Sequence, residues 1–280
     1  MEGDVPPAEP VPSSRLRAGL ARRILLGVCL AAAIGVALFF GTLPDVRPLR
    51  REMPRTTAFM ERRKLDLQRQ GLATKLEWSP VPLARIAPSM QRAVVVAEDA
   101  RFWKHEGVDW EAVRKALEED LDEGGVRRGA STITQQLAKN LYLSSSRRPW
   151  RKLREWAIAR KLERELTKQR ILELYLNVIE FGQRTYGVEA AARRYFGKPA
   201  SRLTPREAAT LAAVIPSPRI YDPVRHPRRV ARRANQILRW MGTWRRYPQA
   251  AGGAAVPTAE PSLPPIPGVA QETLTPLIPR

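Results

Sequence analysis

The segment Ala97-Glu98-Asp99-Ala100-Arg101-Phe102-Trp103-Lys104-His105-Glu106-Gly107 directly follows an apolar run from Ala93 to Ala97. On a continuous helix, Val94, Glu98, Phe102 and His105 recur at spacings of four, four and three and fall on one face. The pattern sets a carboxylate in line with residues that bury. Burial disfavours the charged form and raises a carboxyl pKa toward the range in which it exchanges protons usefully near neutrality. The same spacing admits a plainer arrangement, with Glu98 at the edge of the stripe and paired to Arg101.

A second group is Gly129-Ala130-Ser131-Thr132-Ile133-Thr134-Gln135-Gln136-Leu137-Ala138-Lys139-Asn140. Thr132 followed by Gln135 has the form of a capping box, so a helix starts here behind the flexible Gly124-Gly125 stretch. Its first turn offers free backbone N–H groups to an anion. Thr132, Gln136 and Lys139 share a polar face suited to sugar hydroxyls and phosphate oxygens, or simply to water on a well-capped surface helix. The third group, Arg147 to Glu155 (RRPWRKLRE), places Glu155 at helical spacing from Arg151 and Lys152 on one side and from Ile158, Ala159 and Leu162 on the other. Nearby cations favour its ionised form, opposite to the effect of burial on Glu98. Two carboxylates in such different surroundings can take different roles. Charge pairing along an exposed helix accounts for Glu155 equally well.

These side chains need elements to position them, and helices dominate from Leu83 to Tyr247. Ile158, Leu162 and Leu166 recur at four-residue spacing, Thr167 caps a following helix that carries Ile171, Leu174, Tyr175 and Val178, and Thr204 with Pro205 opens another as far as Ile215. No comparable alternating stretch argues for a sheet. Residues 24–43 (ILLGVCLAAAIGVALFFGTL) form an uncharged run of about twenty residues, the length of a helix that crosses a hydrocarbon core. The run ends in Leu43-Pro44-Asp45 followed by Arg47, Arg50 and Arg51 rather than in a small-residue cleavage motif, which favours an uncleaved anchor over a signal peptide. Arg15, Arg17, Arg22 and Arg23 before it favour a cytoplasmic N-terminus. The expected organisation is a disordered cytoplasmic stretch over 1–23, the anchor over 24–43, a polar, basic membrane-proximal segment over 44–82, a catalytic domain over 83–247 and a disordered Pro/Ala/Gly-rich tail over 248–280.

The 280 residues carry a formal net charge of +20, and the sequence pI is near 11.1. This balance calls for a polyanionic neighbour such as diphosphate, anionic lipid or nucleic acid, although an Arg-rich composition also follows from coding bias. The one cysteine, Cys29, lies inside the apolar run, and the two histidines are His105 and His226. An intramolecular disulfide and a cysteine metal cluster are excluded, and a zinc site or serine–histidine triad has no supporting motif.

In order along the chain, EDARFWKHEG, GASTITQQLAKN, RKLRE, ILELYLNVIEFG and RRANQILRWM resemble the five motifs of the peptidoglycan glycosyltransferases, a family that also supplies the N-terminal half of bifunctional penicillin-binding proteins. The resemblance spans roughly Thr56 to Met241, and Thr56-Thr57-Ala58-Phe59-Met60 looks like the monofunctional branch. Neither SxxK nor KTG follows Met241, so crosslinking activity is not expected. The resemblance implies a mostly α fold, with a lysozyme-like helical lobe and a smaller membrane-proximal jaw after one transmembrane helix. It implies polymerisation of lipid II into β-1,4-linked strands, with inversion and release of undecaprenyl diphosphate. Glu98 matches the family's general base, Glu155 its second essential acid, and Lys139 and Arg147 its diphosphate-binding positions. Asp99, Phe102, His105, Thr132, Gln136 and Asn140 match residues that shape the cleft. No cofactor is required by this resemblance, and a divalent cation such as Mg2+ or Mn2+ at Glu155 is left open. The implied partners are lipid II, the growing lipid-linked chain, membrane lipids and cell-wall synthesis or division proteins, not nucleic acid. The implied location is the cytoplasmic (inner) membrane, with the catalytic domain outside. One competing reading is a lytic transglycosylase or lysozyme-like hydrolase, which has no use for Lys139, Arg147 and Glu155. Another is a non-catalytic, membrane-anchored basic module, which needs no buried carboxylates.

The departure in the fourth motif, Glu180-Phe181-Gly182-Gln183-Arg184-Thr185, is bulkier and more basic than the family's usual small polar residues. It reads as local variation outside the catalytic centre.

Overall fold

A computed structural model describes residues 13–114, 131–143 and 149–243. Of the expected disordered N-terminus, residues 1–12 lie outside the described residues while 13–23 are helical rather than disordered, and the expected tail lies wholly outside them. The chain divides into two compact units, Met1–Pro44 and Asp45–Arg280.

The first unit is helix α1 (Ser13–Gly41). Within its stretch Arg22–Gly41 an 18-residue window has a mean hydropathy of 2.6, and none of that window is buried against protein. Ile24, Leu25, Leu26, Val28, Leu30, Ile34, Val36, Leu38 and Phe40 are all exposed. In water so much unpaired apolar surface opposes solubility, whereas a bilayer core accommodates a helix of this length with every backbone group bonded internally.

The second unit is mostly helical. Its helices are α2 (Ala58–Arg69), α3 (Pro88–Glu98), α4 (Ile133–Tyr142), α5 (Pro149–Glu165), α6 (Lys168–Val178), α7 (Val188–Phe196), α8 (Pro205–Val214) and α9 (Pro227–Thr243). Threonine opens four of them. Thr57, Thr132, Thr167 and Thr204 each accept a hydrogen bond from the backbone N–H three residues on, satisfying a donor that the first turn leaves free. Only Thr204 completes a reciprocal capping box, with Glu207, and Pro205 occupies the first turn as expected. Every residue of α6 from Leu174 to Val178 is buried, apolar except for Asn177, whose side chain is hydrogen-bonded to the backbone of Val81 and Glu173, so this end of the helix lies at the centre. α3 packs on α8 and α9. The run Ala208-Ala209-Thr210-Leu211-Ala212-Ala213 on α8 is wholly buried, and its small side chains let helix axes approach closely. From α9, Val230, Ala234, Ile237 and Met241 present the one apolar stripe.

Residues 45–82, read from sequence as a membrane-proximal lead-in, belong to this same unit. Met60, Arg63 and Leu67 form the buried face of α2. Arg170, in the first turn of α6, donates to the backbone carbonyls of Leu49 and Glu52, and Arg50 donates to Glu165.

A small three-stranded sheet is also present, where the sequence offered no alternating stretch. β1 (Glu77–Trp78), β2 (Glu180–Gly182) and β3 (Thr185–Tyr186) lie in the order β1-β3-β2, with β1 parallel and β2 antiparallel to β3. Strands of two or three residues are too short to show a period-two pattern. The unusual fourth-motif residues Gln183 and Arg184 form the β2–β3 connection. Their backbone carbonyls do the binding, accepting from Arg63 Nε at 2.8 Å and Glu77 N at 2.8 Å, so side-chain identity there is weakly constrained. The next residues include Gly187 at φ +78°, where a Cβ would stand 2.6 Å from the Asn177 carbonyl oxygen. Only glycine fits that close approach.

Candidate active site

Glu98 is the last residue of α3, and the helix stops at Asp99, whose φ and ψ are −164° and 73°. The expectation that one helix carries Glu98, Phe102 and His105 on a single face is therefore corrected. The cause is Asp99, whose side chain draws the chain out of the helix. Its Oδ2 accepts from Ile133 N at 2.9 Å, and both its oxygens stand 3.0 Å from His105 Nε2. Because Gly107 N–H donates to His105 Nδ1, the ring hydrogen sits on Nε2 and points at Asp99. Phe102 is nonetheless fully buried, with Lys168 Nζ 4.5 Å from its ring centroid. Phe102 and His105 thus lie in a closed framework beneath the site, whereas Asp99, which ties that framework together, also lines a cavity beside Glu98.

The same contact answers where the α4 N-terminus finds its anion. The carboxylate of Asp99 occupies it, so the expected external anion is replaced by an internal one. Thr132, expected on a polar ligand-facing side, does line the cavity beside Glu98, but its hydroxyl is engaged internally. It is 2 % exposed, donates to Gly107 O at 2.6 Å and accepts from Gln135 N. Gln135 does not complete the expected capping box, because its Oε1 accepts from Lys152 instead. Asn140 is buried and donates to Gln136 O within α4.

Glu98 is enclosed, with 10 % of its side chain exposed. Oε2 accepts from Gln136 Nε2 at 2.9 Å. Oε1 is buried without a hydrogen-bond partner, and its nearest cation is Arg233 Nη2 of α9 at 3.8 Å. The alternative pairing with Arg101 does not occur, since Arg101 turns to Asp109 and Glu111. Burial pushes the Glu98 carboxyl up from its ordinary value, against the opposing pull of the Gln136 hydrogen bond and the Arg233 and Lys139 charges. The cavity beside it is lined by Glu98, Asp99, Arg101, Asp109, Ser131 and Thr132, among others.

Glu155 on α5 has the opposite surroundings. Its side chain is 3 % exposed, with Arg151 Nη1 2.7 Å from Oε2 and Lys152 Nζ 2.6 Å from Oε1. Pairing along the helix is therefore present, but it is buried rather than exposed. Lys152 also donates to Ser131 Oγ and Gln135 Oε1, which ties α5 to the start of α4. Ile158, Ala159 and Leu162 continue the stripe into the core, as their spacing indicates.

Lys139 stands between the two carboxylates electrostatically, attracted by both Glu155 and Glu98 and repelled by Arg151 and Lys152. It is half-buried, lies 5.8 Å from the Phe59 ring centroid, and burial lowers its pKa. Arg147 lies outside the described residues. Among the described residues no group of three or more His, Cys, Asp or Glu side chains could hold a metal. Both Glu155 oxygens are already engaged by cations, a poor donor set for a divalent ion, which takes several oxygen ligands.

Two contributors were not singled out from sequence. Arg233 lies within the recognised RRANQILRWM segment, whose clustered arginines were the available signal. Tyr175 was read only as a core position of α6, yet its hydroxyl donates to Gln136 Oε1 at 2.8 Å.

Residues 67–242 match the family described as transglycosylase. The chain is 48 % identical over 188 residues to a biosynthetic peptidoglycan transglycosylase of Laribacter hongkongensis, covering 67 % of this chain and 82 % of that protein. A protein of the same name from Chromobacterium violaceum is 44 % identical over 221 residues, covering 78 % and 96 % of the two chains. Another from Nitrosospira multiformis is 46 % identical over 185 residues, covering 66 % and 80 %.

Proposed function

The chain belongs to the transglycosylase family and is a peptidoglycan glycosyltransferase of cell-wall synthesis, and from that premise we propose that it polymerises lipid II into β-1,4-linked glycan strands. The observation that carries the assignment of roles is Glu98, a buried carboxylate with one oxygen held by Gln136 and the other unpartnered. In this reading Glu98 Oε1 takes the proton of the acceptor sugar's 4-hydroxyl as that oxygen attacks the anomeric carbon of the growing chain. The bond from that carbon to the lipid diphosphate breaks with inversion, and the diphosphate departs carrying the electron pair.

The departing group gathers negative charge, which preorganised cations in a poorly hydrated site stabilise most effectively. Lys139 has the position for this, supported by Arg151 and Lys152 and, from its place in sequence, Arg147. Glu155 holds Arg151 and Lys152 by short ion pairs, so we assign it to orienting cations. No step is routed through a metal ion. Gln136 orients Glu98, whereas Asp99, His105, Thr132, Phe102 and Asn140 keep the α3 terminus and α4 in register from below.

The apolar helix at Arg22–Gly41 suits attachment to the membrane that holds a lipid-linked substrate. Arginines before it favour a cytoplasmic N-terminus, with catalysis on the far side of the cytoplasmic membrane. Incubating the purified full-length protein with lipid II and separating the products tests the proposal. Polymer with release of undecaprenyl diphosphate supports it. Absence of polymer together with cleavage of finished glycan strands would instead establish a hydrolase.

A further inference from the structure

Tyr175 sits in the wholly buried stretch of α6, where an aromatic ring needs no hydroxyl to fill space. Its hydroxyl nevertheless donates to Gln136 Oε1 at 2.8 Å, while Nε2 of the same amide donates to Glu98 Oε2 at 2.9 Å. A second contact of that Nε2 reaches Ser131 O at 3.5 Å. A glutamine amide has two orientations related by a half-turn, exchanging its acceptor and donor ends. In the exchanged orientation Oε1 would face Oε2 of Glu98, acceptor against acceptor, which an ionised carboxylate opposes. The phenol remains protonated and able to donate, because burial and the charges of Glu98 and Asp99 push it well above its ordinary value.

We propose that Tyr175 is a positioning residue for glycosyl transfer: by donating to Gln136 Oε1 it keeps the Gln136 amide N–H on Glu98 Oε2, leaving Glu98 Oε1 as the oxygen open to the acceptor hydroxyl. The inference rests on the reading of Glu98 as general base. The other charged groups facing Glu98 are Lys139 from α4, Arg233 from α9 and its own neighbour Asp99, and none of them touches the amide. α6 thereby reaches the base through two hydrogen bonds in series, without contacting substrate. Loss of the first bond frees the amide to turn, and the carboxylate loses a donor that stabilises its ionised form.

The test is the pH dependence of kcat/KM for lipid II polymerisation by the full-length protein, comparing wild type, Tyr175→Phe, Gln136→Leu and the double variant. Tyr175→Phe is expected to move the acidic limb upward by about half to one pH unit and so to lower kcat/KM on that limb roughly three- to tenfold, the scale of one lost hydrogen bond. Activity should recover at higher pH. Gln136→Leu should move the limb at least as far, and adding Tyr175→Phe to it should move the limb no further. A pH-independent loss in Tyr175→Phe, or an additional displacement in the double variant, overturns the proposal. If Tyr175→Phe does not fold, an unmoved limb in Gln136→Leu overturns it as well. Near-wild-type activity of Glu98→Gln sinks the underlying base assignment, whereas an inactive Glu98→Gln beside an unmoved limb in Tyr175→Phe sinks only the role of Tyr175.

Discussion

Replacing Glu98 by glutamine separates catalysis from stability, because the two depend on its protonation in opposite senses. The substitution keeps the side-chain shape. One amide oxygen can still accept from Gln136 Nε2, while the new NH2 takes the place of Oε1, which has no hydrogen-bond partner to lose. What disappears is the ability to accept a proton. A positioned general base contributes about 10²–10⁴-fold, so kcat should fall by that order with little change in folding. The stability consequence follows from linkage. Burial raises the Glu98 pKa in the folded state, so between its ordinary value and the raised one the native protein binds more protons than the unfolded chain. Stability attributable to this group is present below that window and is lost as pH rises through it. At neutral pH and above, Glu98→Gln is therefore expected to melt at or above the wild-type temperature. Wild-type activity falls as pH drops through the raised pKa, and the variant should lack this limb in whatever activity remains. Lipid II polymerisation measured across pH, beside thermal melts at pH 5 and 8, reads both effects. Activity within a few-fold of wild type, or a variant markedly less stable at pH 8, would refute the assignment of Glu98 as a buried base strained by its own charge.

Lys139→Ala should lower turnover by about 10²–10³-fold, the scale of a lost charge-stabilising donor, and weaken diphosphate-containing inhibitors in parallel; retained turnover on lipid II would count against a role at the leaving group. With its amide oxygen accepting from Ile133 N–H at the Oδ2 position, Asp99→Asn sets its NH2 where Oδ1 stood, 3.0 Å from His105 Nε2, donor against donor unless the ring hydrogen moves to Nδ1, against Gly107 N–H. It should cost about 1–3 kcal/mol in denaturant unfolding, and an unchanged midpoint would contradict the framework described for it. Deleting residues 1–43 leaves the second compact unit whole, so the truncated enzyme should turn over lipid II in detergent yet perform poorly on dilute substrate in vesicles, where the anchor raises local concentration; a folded but inactive truncation at abundant substrate would show that the anchor takes part in catalysis.

Helix content and several starts were legible in the sequence because each is set by short-range physics. Thr167 and Thr204 cap where a threonine precedes an amphipathic run, and Ile158, Leu162 and Leu166 bury at the spacing that predicts it. The end of α3 was not legible. The residues after Glu98 read as a continuing helical face, and the interactions that break it come from Ile133, which is 34 residues distant in sequence. Thr132 and Gln135 misled for a related reason. A polar side chain near a helix start looks the same whether it serves a ligand or the backbone, and here Gly107 O and Lys152 claim them. Tyr175 and Arg233 were hidden because a buried hydroxyl and one arginine among many acquire meaning only from what they face.

The two glutamates show why residue type alone could not divide the roles. Glu98 ends a helix whose last stretch before it, Ala93 to Ala97, is apolar, and the one basic residue of that helix, Arg92, lies six positions upstream, so no cation on its own helix pairs with it. The nearest comes from α9 at 3.8 Å, too far for a hydrogen bond. Glu155 lies one helical turn after Arg151 and Lys152 and meets both at hydrogen-bonding distance. A carboxylate held by two local cations is a good organiser of positive charge. A carboxylate buried with an unpartnered oxygen has its affinity for a proton raised by burial. The difference between the two carboxylates is thus set by whether basic residues stand three and four positions upstream, and it is this difference on which the proposed division between base and cation holder rests.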